Sequence, residues 1–528
     1  MKLMITELRL PFELGLAELK SLAARKLGVS VTDFKTFRLI KEATDARRKP
    51  DISRVYSVLA EIPDSRNFRK GDNIRIVQDE PEEPITPGCK KLAGRPVIVG
   101  SGPAGIFAAL TLAGAGYKPI VLERGKAVED RAAFVDVYWK NGELDPECNV
   151  QFGEGGAGTF SDGKLTTRIN DRRCESVLRQ YHEAGAPEDI LYKAKPHIGS
   201  DRLRQVVADM RRKLIGLGGE IRFGAKVTSL TIRNGRVTGV TVNGTEEIEA
   251  GVVVLAIGHS ARDTFASLLQ NGVTMVRKPF SIGVRIEHPQ EMINQSQYGR
   301  PDAAAILGAA DYQLFYRTGG RTAYSFCMCP GGVVVASASE PETIVTNGMS
   351  YFARDRENAN SAFVVSVEPG DFGGSHVLAG VEFQRMWERK AYLVGGGKGA
   401  APIQRLGDFM KGSASASFGT VKPSYTGKVA LSDLNLCLPE FVTSAMKEAV
   451  PYFDRRLRGF SNGDAVLTGV ETRTSSPVRM TRGDTLEAVG IEGLYPAGEG
   501  AGYAGGIVSA AVDGMRAAEQ IIRTYAQP

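Results

Sequence analysis

Apolar residues fall into different rhythms along the chain. Over residues 1–80 they come in short runs, and 4–10, 34–40, 54–62 and 73–77 read as strands. Between the first two, Leu14, Leu16, Leu19, Leu22, Ala23 and Leu27 stand close to helical spacing, and Gly28 supplies the stop. These elements predict a small α/β unit over 1–80. Residues 81–95 hold three prolines and two glycines, which continue neither a helix nor a central strand, so they read as a linker.

From residue 97 the rhythm changes to short, wholly apolar runs that lead into helices. Val97–Val99 runs into Gly100-Ser101-Gly102-Pro103-Ala104-Gly105, and 106–112 continues as a helix. A second strand, 119–122, ends at Glu123-Arg124. Residues 226–233, 236–242 and 245–249 predict a three-stranded meander with Asn-Gly turns at 234–235 and 243–244. The apolar run 252–257 ends at Gly258-His259-Ser260. Residues 262–487 lack strand–helix alternation; they hold strands (281–287, 326–336, 362–367), Gly-rich turns and helices near 380–393 and 439–457. Near the end a short strand closes on Gly498-Glu499, the glycine-rich 500–506 follows, and 507–522 reads as an Ala-rich helix. The order predicts an α/β chain. A Rossmann-like domain is built from 96–261 and 488–528, and an α+β substrate or cap domain is inserted over 262–487.

The first glycine run has the context that a dinucleotide needs, strand–turn–helix. Gly100 permits the tight turn, Gly102 lets a pyrophosphate approach the backbone, and Gly105 lets helix and strand pack closely. Pro103 suits the first helical turn, and the helix N-terminus offers unpaired N–H groups to phosphates. Glu123, 18 residues after Gly105, is placed to accept from ribose hydroxyls, and its charge disfavours a 2′-phosphate at this site. The second run, Gly498-Glu499 to Gly505-Gly506-Ile507, repeats the arrangement some 400 residues later. FAD is long enough to use two anchors, one for its ADP half and one for the ribityl chain and ring; a simple NAD dehydrogenase has no use for the second. Five glycines in twelve residues leave the backbone bare over 153–164. Gly155, Gly156, Gly158 and Thr159 are placed to wrap the pyrophosphate or ring, and Lys164 to set positive charge near flavin N1. Val227 and Gly258 complete the candidate cofactor-binding set.

Composition narrows the alternatives. At 42% apolar and 24% charged the chain is not a disordered one, and 66 Lys+Arg against 60 Asp+Glu is too small an excess to mark a nucleic-acid or membrane protein. Six cysteines are too few for a disulfide scaffold, the start MKLMITELRL is too polar for a signal peptide, and no apolar run reaches about 18 residues. The expectation is a reduced, cytoplasmic setting without a membrane span. One local charge run stands out: residues 35–54 carry seven basic and three acidic side chains, readable as a solvated hairpin or as a phosphate or RNA contact.

These motifs, with 150–165, 325–332 and 499–507, resemble the glutathione-reductase-type FAD superfamily. Most closely the sequence is similar to the bacterial FAD-dependent (NAD(FAD)-utilizing) dehydrogenase family. Ile257 replaces the threonine usual before Gly258, a mild departure. The resemblance implies bound FAD and redox chemistry and implies no particular substrate.

The expected reaction is hydride transfer between a small molecule, held under the cap, and flavin N5. With a single GxGxxG, NAD(P)H would serve only as a diffusible electron donor. A nucleic-acid-associated flavoprotein, or a flavin-binding protein without turnover, are the alternatives. No catalytic acid or base follows from spacing. Cys327 and Cys329, two apart on a strand, should share a face and read as a redox pair, buried hydrophobes or metal ligands. Arg473 and Arg479 are both candidates for an anionic substrate or the flavin edge. The five histidines show no metal spacing.

Overall fold

Short strands buried on both faces need helices above and below, and the nucleotide half of the chain is built that way. The computed structural model describes residues 1–78 and 85–527; residues 81–84 of the expected linker lie outside it. The N-terminal unit runs β1 (Lys2–Pro11), α1 (Leu16–Leu27), β2 (Thr36–Arg48), β3 (Asp51–Glu61), β4 (Ile74–Val77). Then follow β5 (Val97–Val99), α2 (Pro103–Gly114), β6 (Ile120–Glu123), α3 (Val128–Asn141), α4 (Arg173–Glu183), α5 (Ser200–Gly216) and β7 (Glu220–Phe223). The meander is β8 (Val227–Arg233), β9 (Arg236–Val242) and β10 (Glu246–Glu249), and β11 (Val253–Leu255) returns to the sheet. After the cap come β23 (Leu494–Pro496) and α12 (Ile507–Thr524).

The central sheet is wholly parallel, ordered β23-β11-β5-β6-β7. Strand order reverses direction at β5, between β6 and β11, so ligands belong in the crevice beyond the carboxyl ends of those strands. Ile98, Val121 and Val254 face α2 and α12 on one side, and Val97, Val253 and Leu255 face the meander on the other. Both Asn-Gly turns have the positive φ at Asn234 and Asn243 that their sequence predicts.

The insert begins with α6 (Arg262–Gln270), β12 (Met275–Arg277), β13 (Phe280–Pro289), α7 (Gln290–Tyr298) and α8 (Ala303–Leu307). It continues with β14 (Phe315–Thr318), β15 (Arg321–Cys329), β16 (Gly332–Ala336), β17 (Thr346–Ser350), β18 (Asn358–Val367) and α9 (Ala379–Val394). It ends with β19 (Ala401–Arg405), α10 (Leu406–Lys411), β20 (Val429–Leu431), α11 (Glu440–Arg456), β21 (Val466–Glu471) and β22 (Val478–Met480). Its seven-stranded sheet, β14-β15-β18-β13-β21-β19-β20, is antiparallel except for the last pair. Its core gathers Phe363, Phe453 and Phe460.

The N-terminal sheet, ordered β2-β3-β1-β4, covers α1 with Leu3, Ile5 and Val58. The basic stretch is a long hairpin, and part of its charge is used inside the molecule. Lys49 donates to Ser296 O and Arg54 to Ile306 O, cations at the C-terminal turns of α7 and α8. Arg47 and Arg9 share Asp45. Glu42 exchanges backbone hydrogen bonds with Tyr192 and Ala194, and Phe12 and Ile52 enter the cap core. Among the described residues no helix is long and apolar enough to cross a membrane.

Phe12 is 1% exposed. Phe12→Ala should cost about 3–5 kcal/mol in a single denaturant transition of the whole chain. An early, separate transition of the N-terminal unit would contradict this packing.

Candidate functional site

Four strand ends converge on one edge of the parallel sheet. Beyond β5, α2 starts at Gly102 with Pro103 in its first turn and no side chain capping its N–H groups. Beyond β23 the chain runs 498–506 into α12, whose N-terminus is likewise uncapped by a side chain. The two helices lie together because nothing but backbone and methyl groups separates them. A Cβ on Gly514 would overlap Ala104 O, and one on Gly498 would come 2.7 Å from Ala104 Cβ. Gly105 is required in the same way, since a Cβ there would overlap Gly100 O. Gly158 packs on Ile507, Gly156 on Gly102, and Gly500 on Gly258. The expected glycines of all three loops are therefore brought together.

Gly102 is different in kind. Its φ of −69° suits any residue, and a Cβ would meet only Gly156 Cα, at 3.8 Å. Cβ atoms on Gly258, Gly505 and Gly506 would meet nothing within 4 Å. The φ of 72° at Gly258 itself calls for glycine; neither packing nor a positive φ explains Gly102, Gly505 and Gly506, which leave a bare cradle beside two helix N-termini. That donor set fits a dinucleotide: N–H groups for phosphate, and no side chain in the way.

Other predicted residues hold the cradle's walls. The carboxylate of Glu123, 4% exposed, accepts from Ser101 N (2.9 Å) and Oγ (2.7 Å), Gly125 N (3.0 Å) and Gly153 N (3.0 Å). Its four acceptor sites are thus filled by the protein, and a ribose hydroxyl would share or replace one. Arg124 is held by Asp263 (2.9 and 3.0 Å) and Glu147 (2.7 Å) and stacks on Phe152. The Val227 side chain lies in the apolar core with Val97 and Val99. Thr159 Oγ1 donates to Glu154 O, inside its own loop. Lys164 Nζ donates to Met328 O, which ties the glycine loop to β15.

Sequence spacing missed Arg131, on α3. Its guanidinium is fully buried and donates to five backbone carbonyls: Asn149, Val150, Gly153, Glu154 and Gly156. Burial lowers its pKa to about 10, against the pull of Glu123. One side chain thus fixes the loop that faces Gly102. A lone arginine in a polar helix carries no sequence signal for this.

The two candidate arginines separate. Arg473 is buried and shares Glu388 with Arg262, donating also to Ser260 (3.1 Å) and Ser339 (2.5 Å). These buried bonds join cap helix α9 to the nucleotide domain. Arg479 is exposed on β22, with Nε on Gly502 O (3.3 Å). The cysteine expectation needs correction. A bulge between Phe326 and Cys329 breaks the alternation, so Cys327, at φ 42°, opens outward while Cys329 is buried. The two thiols do not share a face. Among the described residues no His/Cys/Asp/Glu group is arranged to hold a metal.

Part-exposed polar groups continue around the cleft between the glycine loops and the cap. Tyr324 donates to Ser281 Oγ (2.8 Å), and Lys278 to Ser475 Oγ (3.3 Å). Glu499 lies 3.8 Å from His259 Nδ1. Burial raises Glu499 to about 7, opposed by Lys278, and lowers His259 to about 3, reinforced by Arg473 and Arg262. His259 is therefore neutral, and the pair is not a salt bridge.

A protein of Clostridium beijerinckii described only as uncharacterized is 49% identical over 540 residues, covering 100% of both chains. The chain belongs to one family with it. Residues 279–474, the body of the cap, match the family described as "FAD-dependent protein, C-terminal domain-like", and residues 1–61 match a domain of unknown function. Together with the sheet order and the cradle, this gives the chain an FAD-dependent-oxidoreductase-like fold. The digeranylgeranylglycerophospholipid reductase of Haloferax volcanii is 28% identical over 43% of this chain and 51% of its own. Among solved structures, a flavin-dependent brominase (TM-score 0.36, 14% identity, 81% of this chain and 79% of that one) is similar. So is L-proline dehydrogenase from P. horikoshii (TM-score 0.35, 12% identity, 82% and 94%). Likenesses this remote bear no argument.

Arg131→Met should cost at least about 2–3 kcal/mol, since it strips a charged donor from buried carbonyls, and should raise amide exchange over 149–160. Unchanged protection there would contradict its role. For Glu499, the native state binds more protons than the unfolded state between its ordinary 4.5 and about 7, so stability falls as pH rises through that window. Glu499→Gln should be more stable than the parent at pH 8, by about 1–2 kcal/mol, and not at pH 4. Denaturant midpoints at the two pH values check this; an equal difference at both contradicts it.

Proposed function

We propose that the chain binds FAD across the carboxyl edge of its parallel sheet and works as an oxidoreductase on a small molecule held beneath the cap. The observation that carries this is the bare cradle shared by two uncapped helix N-termini. The family match over the cap and the reductase relative support it. Bound FAD would supply hydride acceptance or donation at N5. The protein's part is to bind and orient. Backbone N–H groups of Gly102, Ala104 and Gly105 would hold the pyrophosphate, those of Gly506 and Ile507 would meet the ribityl and ring end, the Gly505 N–H being held by Ser509 Oγ, and Arg131 keeps the covering loop in place. Lys164 sets positive charge at the ring's pyrimidine end.

The finer reading is the NAD(FAD)-utilizing dehydrogenase type, with NAD(P)H as a diffusible donor, since the second nucleotide motif is absent from the sequence. Six free cysteines suit a reduced, cytoplasmic setting. A nucleic-acid partner for the basic hairpin is the alternative; Lys49 and Arg54, turned toward the cap, favour packing over RNA.

The test is anaerobic addition of NADH, then NADPH, to the FAD-loaded protein, followed by absorbance. Bleaching by one of them is expected. Flavin that neither they nor dithionite reduces would overturn the oxidoreductase reading. Gly102→Val should fold like the parent yet lose FAD affinity by roughly tenfold or more, because it fills the cradle without touching the core. Unchanged affinity would move the pyrophosphate elsewhere.

A further inference from the structure

We propose that the molecule acted on in this cleft carries a carboxylate or phosphate, and that Lys278 and Arg479 hold it. The inference rests on the flavin reading for the reaction and on the protein alone for the site.

Several interior cations of this protein meet a carboxylate, whereas Arg131 is held by backbone carbonyls alone. Arg262 and Arg473 share Glu388, Arg285 meets Glu471, and Arg482 meets Asp513. Lys278 is half-buried and Arg479 exposed, and among the described residues neither has a carboxylate within ion-pair distance. They are also neighbours. Strands β12 and β22 pair antiparallel with Val276 opposite Arg479, and Lys278 N bonds to Pro477 O just beyond the ladder. Lys278 and Arg479 therefore stand diagonally on one face of the ribbon, a spacing long side chains bridge. The ribbon abuts the cofactor loop directly: Arg479 Nε donates to Gly502 O, Ser476 Oγ to Gly500 O, and the guanidinium lies 5.3 Å from the Tyr503 ring.

Those contacts fix Arg479 by its Nε and leave both Nη groups without a bond among the described residues. A planar fork with free ends beside an ammonium suits two oxygens of one anion. The nearby acid is Glu499, on the facing loop; burial raises its pKa to about 7, so near neutrality it offsets the pair only in part. Burial and Arg479 lower the Lys278 pKa, so an anion between them would be favoured electrostatically.

The probes are acetate and inorganic phosphate, titrated calorimetrically into the full chain, FAD-loaded and as purified. One of them should bind saturably; acetate assigns a carboxylate substrate, phosphate a phosphorylated one or a nucleotide donor. Lys278→Met and Arg479→Gln should each weaken that binding by roughly tenfold or more while FAD still loads. Arg479→Lys should recover part of it and guards against a folding defect. Binding of neither anion, or binding indifferent to both variants, overturns the proposal. A chain that never takes up FAD yet binds an anion through these two residues would overturn the proposed function and leave this inference standing.

Discussion

Everything at the site depends on how closely α12 lies against α2. The contact is made by glycine and alanine: Gly514 against Ala104 O, Gly498 against the Ala104 methyl, with Ala511 and Val512 buried beside Ala108 and Phe107. Any larger side chain at these glycines would push apart two N-termini that lie some 400 residues apart in sequence. Backbone exposed without side chains is entropically costly to order, and glycine is costliest. The chain concentrates that cost at one edge, where strand ends and the 153–158 loop meet, and builds the middle strands β5 and β11 wholly of buried Val, Ile and Leu.

A second constraint is electrostatic. Buried cations are tolerable when matched, and here they fix how parts meet: Arg473, paired with Glu388 of the cap, donates to Ser260 of the nucleotide domain, and Arg131 ties five carbonyls of the covering loop. Breaking such groups singly leaves an unpaired buried charge, so they fix how the parts meet more than they add to stability.

Much of this was legible in the sequence for specific reasons. Val97–Val99 into Gly-Ser-Gly-Pro-Ala-Gly reads as strand–turn–helix because each residue type is nearly forced by the local geometry, and the two Asn-Gly turns fix the meander. The glycine-rich turn into a helix at 498–507 was readable on the same grounds. What spacing hid were effects of tertiary contact. Glu123 looked like a free acid at a strand end, but its acceptor sites are filled by Ser101, Gly125 and Gly153. Cys327 and Cys329 were two apart on a strand, and a bulge, at which Arg285 donates to Cys327 O, separated them. Arg473 and Arg479 were equivalent in sequence until Glu388, from a helix some ninety residues earlier, took one of them.

The central claim is that one ligand spans both helix N-termini. Equilibrium binding of FAD, ADP and riboflavin to the same protein tests it most directly. If both anchors act on one molecule, FAD should bind far more tightly than either fragment, by a factor of roughly a hundred or more. ADP binding as tightly as FAD would contradict it, and would reduce 498–507 to a packing loop.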